Sequence, residues 1–195
     1  MGKSASGKDT IYKKILADES LGLNALIPYT TRPIREKEEE GKEYHFVSDS
    51  DYEKLKSEGM ILEERAYNTV LGLWRYFTVG AKDLVDDEKT YLLIGTLQTY
   101  VSLCEAIGEA NLLPIYIETD DGERLERALR RERKQEVPKY AEMCRRFLAD
   151  DEDFSDDKLI NAGIEKRFDN TDLEECINNV KIYIKKAIGE ANDWI

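Results

Sequence analysis

Short apolar runs alternate with amphipathic stretches along most of the chain. Three apolar runs predict strands, near residues 24–29, 90–95 and 112–118. Three amphipathic stretches predict helices, near residues 8–18, 97–108 and 121–133. Strands that alternate with helices form parallel sheets covered by helices, so we expect a three-layer α/β core. Pro114 should lie at the start of its strand, because proline cannot donate to a strand ladder.

One region departs from this alternation. Residues 30–43 are charged and rich in turn-forming residues, and a short strand near 44–48 and a capped helix near 49–59 follow them. This pattern predicts a lobe inserted into the core. A last helix is predicted near residues 172–188, capped by Thr171 or Asp172, because its apolar residues recur at helical spacing.

Composition limits the classes of protein to consider. The chain has 195 residues with 41 acidic and 29 basic side chains, a net charge of -12, which predicts one acidic globular domain that repels nucleic acid. The apolar runs are far shorter than the ~20 residues of a membrane span. We therefore expect a cytoplasmic protein with no membrane or nucleic-acid partner.

Cysteine and histidine contribute little candidate chemistry. The three cysteines, Cys104, Cys144 and Cys176, are widely separated and lack the spacing of metal ligands, so neither a disulfide framework nor a metal cluster is expected. His45 is the single histidine. Hydrolase mechanisms that use histidine, and zinc sites, are thereby disfavoured.

The first residues carry a phosphate-loop motif. Gly2 to Lys8 fits G-x-x-x-x-G-K, in which backbone amides and a lysine bind nucleotide phosphates at a helix N-terminus. A flexible glycine-serine segment is the alternative interpretation of this motif taken alone. The candidate ATP-binding residues here are Gly2, Ser4, Ser6, Gly7, Lys8, Asp9 and Thr10.

The loop departs from the strict motif in two ways. Asp9 replaces the serine or threonine that holds magnesium, so the metal contact would run through Thr10, through water or through the Asp9 carboxylate. The loop also begins at residue 2, whereas it normally follows a buried strand. We therefore expect the first core strand to be missing, with a displaced or disordered N-terminus, weak ATP binding and low activity. The alternative is that another segment fills the place of this strand.

A second motif makes a family resemblance specific. The string T-T-R-x-x-R-x-x-E-x-x-G-x-x-Y-x-F-V-S begins at Thr30 and ends at Ser48. Together with the phosphate loop, it resembles the guanylate kinase family, and the resemblance runs over nearly the whole chain. It implies a P-loop kinase core with an inserted acceptor-binding lobe and a helical lid.

The resemblance also implies roles for individual residues. Four would bind the phosphate of the acceptor nucleotide: Arg32, Arg35, Tyr44 and Tyr76. Glu63 would accept hydrogen bonds from guanine N–H groups, as an ionised carboxylate can, and Thr78 and Thr96 would also contact the base. Two alternatives remain open: Tyr44 and Phe46 as ordinary strand residues, and Glu63 with its neighbour Glu64 as solvated carboxylates.

The sequence departs from the family pattern at two places. The family usually carries two aspartates after its central apolar run, and Ile94 and Thr96 stand at those positions. Thr96 can still hydrogen-bond a base, whereas Ile94 cannot organise a metal shell. Residues 69–73 also form a short insertion relative to the family's glycine-tyrosine turn.

Seven arginines lie between Arg124 and Arg146. The family's lid arginines fall in this region, and phosphoryl transfer depends on positive charge delivered to the transferring group. We assign Arg130, Arg131 and Arg146 together with Lys8 as the candidate catalytic charges. The alternative is a solvated helix with Glu–Arg pairs. Asn170 resembles the family's asparagine near the donor adenine.

The sequence thus predicts one guanylate-kinase-like domain in three parts. These are a core (1–31, 79–120 and 160–195), an acceptor-binding lobe (32–78) and a lid (121–159). The expected activity is transfer of the ATP γ-phosphoryl group to GMP, with Mg²⁺. A related binding module without catalysis and a kinase of another nucleoside monophosphate remain alternatives, and the oligomeric state is open.

Overall fold

The structure, a computed structural model, describes residues 1–36, 38–69, 72–80 and 89–192. The helices are α1 (Lys8–Leu16), α2 (Asp49–Ser57), α3 (Leu97–Ile107), α4 (Asp121–Glu132), α5 (Tyr140–Asp153), α6 (Asp156–Asn161) and α7 (Leu173–Asn192). The strands are β1 (Leu23–Ala25), β2 (Tyr29–Thr30), β3 (His45–Phe46), β4 (Ile61–Thr69), β5 (Gly72–Val79), β6 (Thr90–Leu92), β7 (Tyr116–Glu118) and β8 (Arg167–Asp169).

Contacts between residues divide the chain into two compact units. The loop unit comprises Met1–Leu21, Ile94–Leu97 and Leu113–Ile195. The hairpin unit comprises Gly22–Leu93 and Gln98–Leu112. The glycine-rich loop and the arginine-rich segment belong to the loop unit, and the Thr30–Ser48 motif belongs to the hairpin unit.

Helix α7 supplies much of the core of the loop unit. It packs against α1 and β8 and buries Ile177, Val180 and Ile184 along one face. Asp172 caps it by accepting a hydrogen bond from the Glu175 amide at 2.9 Å. The predicted cap and apolar face are therefore correct, although the helix runs further than predicted.

Of the helices that the structure describes, none is long and apolar enough to cross a membrane.

The first residue of the loop unit lies beside β7, which pairs in parallel with β8. The amino nitrogen of Met1 donates to the Ile115 carbonyl at 2.7 Å, and the Ile117 amide donates to the Met1 carbonyl at 2.9 Å. These bonds hold the backbone against β7. The expected displaced or disordered N-terminus is therefore wrong, because the glycine-rich loop starts from an anchored residue.

The hairpin unit contains a four-stranded sheet in the order β3-β2-β5-β4. Strand β5 is antiparallel to β2 and β4, while β2 and β3 are parallel. The long β4–β5 hairpin was not predicted, because charged and polar residues interrupt its apolar pattern. Strands β1 and β6 form a separate parallel pair, which, like the β7–β8 pair, confirms the α/β expectation.

The predicted boundaries hold better for helices than for strands. Helix α2 begins at a capping box in which Ser48 and Asp51 exchange hydrogen bonds. The apolar run at 24–29 divides between β1 and β2, and β6 ends at Leu92. Strand β7 begins only at Tyr116, so Pro114 precedes the strand. In the insertion at 69–73, Thr69 lies opposite Gly72, and residues 70 and 71 lie outside the described residues.

Candidate active site

The glycine-rich loop forms a cradle ahead of α1. Gly7 has a φ of +86°, and an added Cβ would collide with the side-chain nitrogen of Asn170, so the position requires glycine. The Ser6 carbonyl accepts from Thr119 Oγ1 at 3.1 Å and from Asn170 Nδ2 at 2.7 Å. Thr119 and Asn170 directly follow β7 and β8, so the strand pair holds the loop in shape.

This loop presents donors that lack acceptors. Among the described residues, the amides of Ala5, Gly7 and Lys8 have no hydrogen-bond partner, and the Lys8 amine forms no ion pair. The buried Ser6 hydroxyl also has no partner there. The N-terminus of a helix favours negative charge. The loop therefore has the amides, the cation and the dipole that an anion requires.

Two carboxylates from the end of α5 already contact this loop. Asp150 Oδ2 accepts from the Ser4 amide at 2.7 Å, and Asp151 Oδ1 accepts from Lys3 Nζ at 2.7 Å. The Arg124 side chain is only 1% exposed, and its Nε donates to the Ser4 carbonyl at 3.0 Å. One loop amide is thus occupied by a carboxylate of the protein.

Sequence reasoning did not single out Arg124 or Asp150. Arg124 also pairs with Asp121, one turn earlier in α4, and lies 3.4 Å from Asp150. The i, i+3 spacing of Asp121 and Arg124 was the available signal, but such spacing is common on solvated helices. The contact with Ser4 depends on tertiary packing that spacing does not encode.

The predicted metal contact rests on Asp9 and Thr10. Both lie in the first turn of α1 and are exposed. Within the ranges that the structure describes, no group of three or more His, Cys, Asp or Glu side chains is arranged to hold a metal. Mg²⁺ bound with a nucleotide keeps several waters and needs only one or two protein oxygens. Asp9 and Thr10 fit that requirement, and metal binding stays a prediction.

The candidate lid arginines differ in their partners. Arg130 pairs with Glu126 at 2.6 Å and Arg146 pairs with Glu142 at 2.9 Å, both as exposed i, i+4 pairs. Hydrogen bonds from Arg145 and Arg146 lower the pKa of Glu142 to about 2. These contacts match the alternative of a solvated helix.

Two other arginines in this segment differ from those exposed pairs. Arg131 is exposed and has no ion pair among the described residues. Arg127 donates to the Asn170 carbonyl at 3.3 Å, close to Gly7. Arg131 is thus the candidate lid charge with no partner of its own, and Arg127 is an arginine near the loop that sequence reasoning missed.

In the hairpin unit, Arg32 is almost fully buried. Its two terminal nitrogens donate to the carboxylate of Glu38 at 2.7 and 2.6 Å, and these hydrogen bonds hold the pKa of Glu38 below its usual value. The Nε–H of Arg32 has no acceptor among the described residues. A buried donor without an acceptor costs about 1–3 kcal/mol, so this N–H marks a place for a ligand oxygen.

The other predicted phosphate ligands are grouped around Arg32. The Tyr44 ring lies 5.1 Å from its guanidinium carbon, and the Tyr76 ring lies 5.6 Å from the Tyr44 ring. The Arg35 amide donates to Glu38 at 2.9 Å, and its exposed side chain makes no hydrogen bond within the described part of the chain. The structure therefore brings Arg32, Tyr44 and Tyr76 together and leaves the Arg35 guanidinium available.

Glu63 is a buried carboxylate rather than a solvated one. Its side chain is fully covered, and it accepts from Thr78 Oγ1 at 2.7 Å and from Arg65 Nε at 3.2 Å. A register irregularity between Ile61 and Glu63 places Glu63 directly opposite Thr78. Thr96, the remaining predicted base contact, is half-buried and belongs to the loop unit.

The parallel strand pairs, the helices and the loop ahead of α1 define the class of this protein. It is an α/β protein whose first helix is preceded by a glycine-rich cradle suited to an anion. The chain belongs to the guanylate kinase family, because the family model described as guanylate kinase matches residues 1–187. The resemblance found in the sequence is confirmed.

Individual relatives agree with this assignment. The chain is 39% identical to the guanylate kinase of Neisseria meningitidis serogroup B over 79 residues, which are 40% of this chain and 36% of the relative. It is 32% identical to the guanylate kinase of Fusobacterium nucleatum over 130 residues, 66% of each protein. The first match thus spans about a third of its relative, and the second about two thirds.

A solved structure shares the fold. The crystal structure of guanylate kinase from Anaplasma phagocytophilum superposes with a TM-score of 0.61 at 23% identity. The superposition covers 95% of this chain and 82% of that chain. The mixed α/β fold expected from the sequence is thereby confirmed.

Proposed function

We propose that this chain is a nucleoside monophosphate kinase that transfers the γ-phosphoryl group of ATP to GMP, giving ADP and GDP. The observation that carries the proposal is the buried Nε–H of Arg32, which has no acceptor among the described residues. Phosphate oxygens, like carboxylate oxygens, match the donor geometry of a guanidinium. The match to the guanylate kinase family model supports the choice of reaction.

The glycine-rich loop is the proposed donor site. The unpartnered amides of Ala5, Gly7 and Lys8 would donate to ATP phosphate oxygens, and the Lys8 amine would neutralise their charge. Asp9 and Thr10 would hold Mg²⁺, which when bound neutralises charge on the phosphate oxygens. Asn170 is proposed to lie near the donor adenine, although its amide already supports the loop through Ser6.

The hairpin unit is the proposed acceptor site. Arg32, Arg35, Tyr44 and Tyr76 would bind the GMP phosphate, and the grouping of three of them supports this role. Glu63 would accept from guanine N–H groups, since Thr78 and Arg65 use only part of its acceptor capacity. Because the Glu63 side chain is fully covered, the side chains over it would have to move as the base enters. Thr96 would add a further contact to the base.

In the proposed reaction, a GMP phosphate oxygen attacks the γ-phosphorus of ATP as the bond to the ADP oxygen breaks. Negative charge builds on the transferring group and the leaving oxygen, so positive side chains lower the barrier. Lys8, Arg130, Arg131 and Arg146 are the proposed charges. Both substrates are small nucleotides, and the expected compartment is the cytoplasm.

Separate calorimetric titrations with GMP, AMP and ATP test the proposal, together with an assay for ADP formation. We expect GMP to bind more tightly than AMP, and ADP to form only when ATP and GMP are both present. Glu63→Gln should narrow the preference for GMP, because a neutral amide is a poorer acceptor. Equal binding of AMP and GMP would remove guanine as the base. GMP binding without turnover would instead indicate a binding module.

A further inference from the structure

One face of the β4–β5 hairpin carries an arginine that the sequence motifs do not include. Glu63, Arg65 and Tyr67 alternate along β4, so their side chains share a face. Across the ladder, Thr78 lies opposite Glu63 and Tyr76 lies opposite Arg65. Arg65 therefore lies among residues proposed above to bind GMP.

The Arg65 side chain is held against the buried carboxylate. Its Nε donates to Glu63 Oε2 at 3.2 Å, and the side chain is 11% exposed. Burial raises the pKa of Tyr44, and the nearby charges of Arg32 and Arg65 oppose that rise. This effect agrees with a position of Arg65 close to Tyr44. The ion pair thus orients a guanidinium beside the proposed base-reading carboxylate.

The hydrogen-bonding groups of Glu63 and Arg65 complement those on one edge of guanine. A carboxylate only accepts hydrogen bonds, and a guanidinium only donates them. Guanine has N1–H and 2-amino donors next to the acceptor O6, with N7 beyond it, and arginine is the commonest partner of O6 and N7. Adenine has an amino group in place of O6, and a guanidinium cannot accept a hydrogen bond from that amino group.

We propose that Arg65 is a specificity-determining residue that donates to guanine O6, while Glu63 accepts from N1–H and the 2-amino group. This inference rests on the proposed function and adds a second hydrogen bond that distinguishes guanine from other bases. Glu63 alone distinguishes the donor groups of guanine. Arg65 also disfavours bases that carry a hydrogen-bond donor at position 6.

The test compares Arg65→Met with the wild type in calorimetric titrations of three monophosphates. GMP has O6 and the 2-amino group, inosine monophosphate keeps O6 but lacks the 2-amino group, and 2-aminopurine riboside monophosphate keeps the amino group but lacks O6. We expect GMP and inosine monophosphate each to weaken by about 10- to 100-fold. Their ratio should stay constant, and binding of the 2-aminopurine nucleotide should change by less than about twofold.

Arg75→Met is the matched control. Arg75 lies on the same hairpin, but its guanidinium pairs with Asp49 at 2.7 Å and lies over the Tyr52 ring. Its loss should leave the three affinities in their wild-type ratios.

Arg65→Lys keeps a positive charge beside Glu63 but loses the planar fork. It should show the same pattern as Arg65→Met, and it serves as the test if the methionine variant does not fold.

Three outcomes would overturn the inference. An equal loss for all three nucleotides would make Arg65 a phosphate ligand. A changed ratio of GMP to inosine monophosphate would mean that Arg65 only positions Glu63. Unchanged binding throughout would leave Arg65 without a part in recognition. A wild type that fails to prefer GMP over AMP would instead contradict the proposed function.

Discussion

The carboxylate of Asp150 accepts a hydrogen bond from the backbone amide of Ser4 at 2.7 Å. A negative side chain therefore lies on the loop proposed to hold the phosphates of ATP. Asp150 also lies 3.4 Å from Arg124, which contacts the Ser4 carbonyl on the same loop. A bound triphosphate would meet the charge of Asp150, so this carboxylate should weaken donor binding.

We predict that Asp150→Asn raises the affinity for ATP. The amide oxygen of asparagine can still accept from Ser4, so the substitution removes the charge and keeps the hydrogen bond. An interaction of ~1 kcal/mol corresponds to about a fivefold change in affinity. Calorimetric titration with ATP measures it, and Asp153→Asn, at the exposed end of α5, is the control. Weaker ATP binding by the Asp150 variant would contradict the prediction.

A pair of glycine substitutions tests the shape of the loop. Gly7 and Gly22 both have positive φ, but only at Gly7 would an added Cβ collide with Asn170. Gly22→Ala should cost ~1–2 kcal/mol of backbone strain. Gly7→Ala should cost more, because Asn170 must also move, and it should abolish ATP binding. Chemical denaturation and ATP titration of both variants check this, and equal losses would show that the contact with Asn170 is unimportant.

Arg35→Ala should weaken GMP binding without reducing stability. The guanidinium is exposed and has no partner among the described residues, so its loss removes no native contact. A charge-assisted hydrogen bond contributes about 1.5–3 kcal/mol, which corresponds to roughly 10- to 150-fold in affinity. Calorimetry with GMP measures the loss, with Lys54→Ala in α2 as a control for removing a surface cation. Unchanged affinity would remove Arg35 from the acceptor site.

The Arg32–Glu38 pair predicts a pH dependence of stability. Hydrogen bonds from Arg32 lower the pKa of Glu38 below its usual value in the folded protein. A carboxyl group whose pKa is lowered by folding stabilises the folded protein fully at pH values above its pKa in the unfolded chain. This stabilisation decreases as the pH falls below that value, and it is lost as the pH falls through the lower pKa of the folded protein. The wild type should therefore exceed Glu38→Gln in free energy of unfolding near neutrality, by about 1.5–3 kcal/mol.

This difference should shrink once the pH falls below the ordinary glutamate pKa of about 4.3. Urea denaturation of both proteins at a series of pH values measures it. Glu53→Gln, an exposed carboxylate in α2, controls for the general loss of a negative charge. A difference that stays constant with pH would show that ionised Glu38 does not stabilise the fold.

Arg131→Ala should lower kcat with little change in stability. Arg131 has no ion pair among the described residues, whereas Arg130 and Arg146 are engaged with glutamates. An arginine that stabilises the transferring phosphoryl group contributes far more than about tenfold in rate. Steady-state assays of Arg131→Ala beside Lys134→Ala, an exposed cation just beyond α4, measure the effect. Equal rates in the two variants would count against a catalytic role.

The predicted residues of the candidate site that lie close together along the chain belong to continuous motifs. Gly2 to Lys8 fold into one loop, and Arg32, Arg35 and Tyr44 belong to one string with fixed spacing. In such segments local geometry follows from residue type and order. Family resemblance alone points to Glu63, and its burial follows from the pairing of β4 with β5, which brings Thr78 to its carboxylate.

Other residues of the site depend on contacts that spacing does not encode. Arg124 and Asp150 meet through the packing of α4 on α5. Arg65 joins the candidate acceptor residues because an irregularity in β4 sets the register of the hairpin, and a one-residue slip would reverse the faces of its side chains. The anchoring of Met1 likewise comes from β7, far along the chain.

The hydrogen bonds at the Ser6 carbonyl constrain the order in which this protein can fold. The loop is synthesised well before Thr119 and Asn170, which lie 113 and 164 positions further along from Ser6. Bringing such distant residues together requires closure of a long stretch of chain. A nascent chain that has not yet emerged past β8 would therefore lack the contacts that shape the loop, and this cradle should be among the last parts to form.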